Sequence, residues 1–162
     1  MTATEQVLPY GHYLPATVTG NTVISAGMTP RIEGALAASA RVGTDAEAGD
    51  ISVERAAELA GQSVRRAINA CQQALPAGGQ LLRPVNMTVY IRSRDDFTHH
   101  SDVANGASAV LAACFDGHVG SRAAIGVSSL PGGSPVEVVL TAEWVDGQYS
   151  PVRETPGLNT VR

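Results

Sequence analysis

From Ile51 to Leu75 apolar residues return at steps of three and four: Val53, Ala57, Ala60, Val64, Ala67, Cys71 and Leu75. Glu54, Glu58, Arg65 and Arg66 fall mostly on the other side, so the spacing predicts an amphipathic helix. Asp50 or Ser52 is placed to cap its start, and Pro76-Ala77-Gly78-Gly79 ends it. Val85 to Arg92 follows a period of two instead. Met87, Val89 and Ile91 point one way and Asn86, Thr88, Tyr90 and Arg92 the other, which makes a strand with one apolar face. A second helix is predicted from about Ser101 to Phe115, with Val103, Ala107, Val110, Leu111 and Cys114 inward. It begins behind the charged turn at residues 93–97 and stops at Asp116-Gly117.

Before the first helix, residues 11–30 hold β-rich runs separated by Gly20-Asn21, a tight-turn signal that predicts a hairpin with Thr22 to Met28 as its second strand. Residues 31–50 are rich in Gly, Ala and acids with little periodicity. They read as a long surface loop, with one short strand near Ser39 to Val42. Two last strands, about Arg122 to Val127 and Val136 to Val145, flank a turn centred on Leu130 to Gly133 and read as a closing hairpin. The order ββ(β)αβαββ predicts an α+β fold, one mixed sheet with two helices on one face. The other face has nothing in a single chain to cover it, so a homo-oligomer is expected.

In the last two strands the period of two separates chemistry from core. Val136, Val138, Leu140, Ala142 and Trp144 form one face, and Glu137, Val139, Thr141 and Glu143 the other. Ala123, Ile125 and Val127 alternate with Arg122, Ala124 and Gly126. The uniformly apolar faces suit the helices, which leaves Arg122 and Glu137 on the side away from them, Arg122 opposite Thr141. A guanidinium beside small residues has room above it for a carboxylate, whose geometry its planar fork matches. An ion pair of Arg122 with Glu143, or with an acid of another subunit, fits the spacing too.

Composition narrows the chemistry further. At 162 residues, 44% hydrophobic and 16% charged, the chain fits one globular domain, read as residues 1–148 followed by a polar tail at 149–162. The eleven basic residues are all arginines, which excludes a lysine Schiff base and a Walker-type phosphate lysine. A formal charge of −4 without a basic cluster makes nucleic acid an unlikely partner. No run is long and apolar enough to span a bilayer and the first residues lack a secretory pattern, so a cytoplasmic protein with no membrane association is expected. Cys71 and Cys114 read as small core residues. His12, His99, His100 and His118 lack metal-ligand spacing and read as surface or turn residues, His12 being the one that could reach a cleft. No metal and no cofactor is expected. Asn105-Gly106, unusual inside a helix, fits close packing or a ligand-facing role equally.

Three stretches of the chain resemble the Rid/YjgF family of reactive-intermediate imine deaminases, also labelled endoribonuclease L-PSP. YGHYLPATVTGNTVISAGMTP is similar to the family's opening hairpin, NMTVYIRSRDDF to its central strand and turn, and SRAAIGVSSLPGGSPVEVVLTA to its ending. The resemblance implies a chorismate-mutase-like fold, a homotrimer around a central β-barrel, and clefts between subunits. There an arginine holds the carboxylate of a small imino acid and a glutamate positions the water that hydrolyses it. Carried over by position, the arginine is Arg122 and the glutamate Glu137, with Tyr13, Gly27 and Asn105 lining the cleft. The family's hydroxyl position falls on Ala26 and a further acid on Val139. The long segment 31–50 and the added residues at 98–108 suggest a subgroup apart from the archetypal deaminases. The function implied is hydrolysis of a small carboxylate-bearing imine, with non-catalytic binding of a small carboxylic or keto acid as the alternative and endoribonuclease activity as a weaker one.

Overall fold

The computed structural model describes residues 6–9, 11–43 and 49–147. The tail at 149–162 lies outside them. A hairpin of β1 (Ala16–Thr19) and β2 (Thr22–Ser25) turns at Gly20-Asn21 and opens the sheet. β2 ends earlier than its apolar pattern predicts, and beyond it only Met28 rejoins the sheet, through a bridge to Val138. Two small pairs follow where a loop with one strand is expected: β3 (Arg31–Ile32) with β4 (Ala35–Leu36), and β5 (Arg41–Val42) with β6 (Asp50–Ile51).

The helix α1 (Val53–Ala74) is capped by the Ser52 hydroxyl, which accepts from the Arg55 amide at 3.2 Å. Asp50 is not the cap. Its side chain is buried between Arg41 and Arg94, 3.5 and 3.4 Å away. β7 (Gln80–Arg92) starts five residues before the alternating pattern does. Its register shifts near Pro84, where a missing N–H and a fixed φ interrupt the ladder and blur the period of two. α2 (His100–Cys114) and β8 (Ser121–Val127) follow, then a short 3₁₀ turn at Pro131–Gly133 and β9 (Val136–Val145).

The sheet order is β1-β2-β9-β7-β8, with β7 and β8 parallel and the other neighbours antiparallel. The last two strands are therefore not a hairpin. β9 takes one flank of β7 and β8 the other, and α2 is the crossover that parallel pairing needs. Arg122 faces Met87 across the ladder, not Thr141.

Both helices pack on one face of this mixed α+β sheet and on each other. Met87, Val89 and Ile91 of β7, Val136, Val138, Leu140 and Ala142 of β9, and Leu59, Val64, Val103 and Leu111 of the helices fill the core between them. Gly106 of α2 sits so close to α1 that a Cβ there would overlap the Ala57 carbonyl, which assigns this glycine to packing. Cys71 is buried but Cys114 is exposed, because Phe115 and not Cys114 takes the inward position at the end of α2. The opposite face of the sheet leaves Ile24 and Ile125 more than 40% exposed.

Candidate functional site

On β8 the helix-facing side is the reverse of the one expected. Arg122 points at α2, where its Nη1 donates to Asn105 Oδ1 and to Ser108 Oγ, each at 2.9 Å. His100 of α2 lies over Gly126 on the same side, while Ile125 faces out. Small residues at 124 and 126 suit the close approach of a helix rather than of a ligand. The expected pairing of Arg122 with Glu143 is absent, since Glu143 is bound by Arg83 Nε at 2.7 Å.

The outward face of β9 holds Glu137, opposite Tyr90 in the ladder. The chain leaving β2 passes beside it, pinned by two backbone hydrogen bonds between Met28 and Val138 at 2.8 and 2.9 Å. That contact brings Gly27 under the Glu137 carboxylate, where a Cβ would overlap Oε1. Glu137 and Gly27 line a cavity of about 80 Å³ together with Tyr13, Arg31, Arg66 and Pro131. The carboxyl of Glu137 is raised above its ordinary value by burial. Ala26 precedes Gly27 and carries no hydroxyl to aim into the cavity.

The site residues expected from sequence thus fall into two groups. Tyr13, Ala26, Gly27 and Glu137 gather at one place, and Arg122 and Asn105 at another. Arg122 is paired with Met87 on one flank of β7 and Glu137 with Tyr90 on the other. Two strand spacings and three residues of rise place their Cα atoms about 14 Å apart, and the odd offset along β7 turns their side chains to opposite faces. Within one chain they cannot grip the same small molecule. Asn105 lies nearer to Arg122 than a lining residue needs to: it holds the guanidinium. Ser108, one helical turn beyond Asn105, shares that work, and the i,i+3 spacing on α2 was the signal for it. His12 is exposed and lies outside the Glu137 cavity that its neighbour Tyr13 lines. Among the described residues no cluster of three His, Cys, Asp or Glu could hold a metal ion, and no helix is long and apolar enough to cross a membrane.

The family model described as endoribonuclease L-PSP matches residues 4–144. Protein TCP17 of Trypanosoma cruzi is 38% identical over 90 residues, a match that spans 51% of this chain and 56% of that protein. The fold resembles that of Atu1372 from Agrobacterium tumefaciens, a protein of unknown function, with a TM-score of 0.70 and 26% identity over 82% of this chain and 81% of that one. It also resembles the fold of E. coli TdcF with bound serine, with a TM-score of 0.56 and 19% identity over 87% and 94% of the two chains.

Proposed function

The chain belongs to the endoribonuclease L-PSP (Rid/YjgF) family, and from that membership and the two half-sites we propose that it hydrolyses a small carboxylate-bearing imine in a cleft between two protomers. One protomer supplies Arg122, steadied by Asn105 and Ser108. Its neighbour supplies Glu137 over Gly27, with Tyr13 beside them. The observation that carries this reading is the placement of Arg122 and Glu137 on opposite faces of one sheet. Two residues that must serve one ligand can then meet only across copies. A homotrimer closed around the open sheet face provides such clefts and covers Ile24 and Ile125 as well.

In this cleft the Arg122 guanidinium takes the substrate carboxylate. Glu137 as carboxylate accepts a proton from water while the water oxygen bonds to the imine carbon. The resulting acid returns the proton to nitrogen, and collapse of the carbinolamine releases ketone and ammonia. Burial makes Glu137 hold a proton more readily than an ordinary glutamate, which favours the step in which it takes the proton from water. The serine bound by TdcF, a small molecule with a carboxylate, supports a ligand of that size and charge.

A second reading, non-catalytic binding of a small carboxylic or keto acid, is favoured by Ala26, which removes a hydroxyl from the Glu137 side. Nuclease activity is the weakest of the three, because the charge is −4 and no lysine is present to follow a phosphate backbone. Ammonia release from freshly generated 2-iminopropanoate decides between the first two. A rate above the uncatalysed one that Glu137→Gln abolishes supports the hydrolase. Binding of pyruvate without any acceleration supports the second reading.

A further inference from the structure

We infer that α2 fixes not only the position of Arg122 but which edge of its guanidinium meets the ligand, and that Ser108 is a positioning residue for this. The inference rests on the carboxylate-clamp role given to Arg122 above. A guanidinium has five N–H donors: one on Nε and two on each terminal nitrogen. Both acceptors on α2, Asn105 Oδ1 and Ser108 Oγ, engage the same nitrogen, Nη1, at 2.9 Å each. Its two hydrogens are therefore committed to the protein. Among the described residues no acceptor engages Nε or Nη2.

A carboxylate can dock on arginine in two bidentate ways, end-on across Nη1 and Nη2 or side-on across Nε and Nη2. The end-on fork needs an Nη1 hydrogen that α2 already holds. The side-on edge is complete. Ligands therefore bind side-on, and the two bonds from α2 lock the plane of the guanidinium so that this edge faces the cleft. Asn105 and Ser108 lie on one face of α2 three residues apart, so the helix presents both acceptors as a rigid pair. Losing the serine hydroxyl leaves one bond, about which the guanidinium plane is free to swing, and opens the end-on fork to competition.

The test uses the whole chain and pyruvate as the probe. The Nε–H resonance of Arg122 is assigned by comparison with Arg122→Ala and followed by ¹⁵N NMR as pyruvate is added, in wild type, Ser108→Ala and Ser108→Thr. The side-on docking expected here shifts the Nε–H resonance in wild type. Pyruvate binds about fivefold to tenfold more weakly to Ser108→Ala and near normally to Ser108→Thr, which restores the acceptor. In the hydrolysis assay Ser108→Ala raises KM while kcat moves less than twofold. Pyruvate that binds with the Nε–H resonance unmoved, or equally to Ser108→Ala and wild type, overturns the side-on assignment and leaves the carboxylate clamp standing. Pyruvate that binds no better to wild type than to Arg122→Ala overturns the clamp and the side-on assignment together.

Discussion

Gly27 and Glu137 touch so closely that the glutamate can keep its place only while residue 27 has no side chain. The pair is held by strand pairing, since Met28 and Val138 on either side exchange backbone hydrogen bonds. Gly27→Ala should therefore push the carboxylate out of the cavity and leave the sheet intact. The expected result is a loss of about 100-fold in kcat/KM for imine hydrolysis, the scale of one misplaced proton-transfer group, with an unchanged circular dichroism spectrum. Steady-state ammonia release checks it.

Glu137 also makes stability depend on pH. Its native carboxyl is raised above the ordinary value of 4.5 by burial, so between that value and the raised one the folded chain binds more protons than the unfolded chain. Stability then falls as pH rises through that window, and the loss persists at neutral pH. Glu137→Gln removes the buried charge. Its melting temperature should exceed wild type by roughly 2–4 °C at pH 8, with no gain near pH 4, while hydrolysis is lost. Thermal melts at the two pH values read both signs.

Close helix packing should be felt at Gly106. A methyl there meets the Ala57 carbonyl, which is backbone and cannot turn aside. Gly106→Ala is expected to destabilise the fold by about 2–3 kcal/mol, measured by urea unfolding, although alanine has the higher helix propensity.

The two cysteines should differ in reactivity. Burial pushes the Cys71 thiol up to about 12, while Cys114 is exposed. A thiol reagent such as dithionitrobenzoate should label one cysteine per native chain and two after unfolding.

Much of this was legible along the chain. The three- and four-residue steps of α1 and the alternation in β7 report the packing of each element directly; α1 formed where the pattern placed it, and β7 did so from Val85 on, with five further residues before it. Pairing was less legible. Leu130 to Gly133 reads as a hairpin turn because turn chemistry is local, yet β8 and β9 settle on opposite flanks of β7. Nothing in the spacing of a strand names its neighbour. The period of two likewise separates Arg122 from Ile125 but does not say which side meets the helices. The rule that apolar faces turn inward failed on β8, where α2 brings polar partners for Arg122 and the outward isoleucine is left exposed. Glu137, Gly27 and Tyr13 were found together because the family ending and opening hairpin are carried by short motifs. Ser108 sits in no such motif, and its i,i+3 spacing from Asn105 gains meaning only once α2 is seen to pack over Arg122.

The central claim, that Arg122 of one protomer works with Glu137 of another, is tested most directly by mixing two inactive variants. Arg122→Ala and Glu137→Gln are unfolded together in equal amounts, refolded and assayed for hydrolysis of 2-iminopropanoate. Random assembly into a closed oligomer gives about a quarter of the clefts both intact residues, so about a quarter of wild-type activity should return. If the mixture assembles into mixed oligomers and stays as inactive as either variant alone, the two residues do not share a cleft between protomers and the account fails.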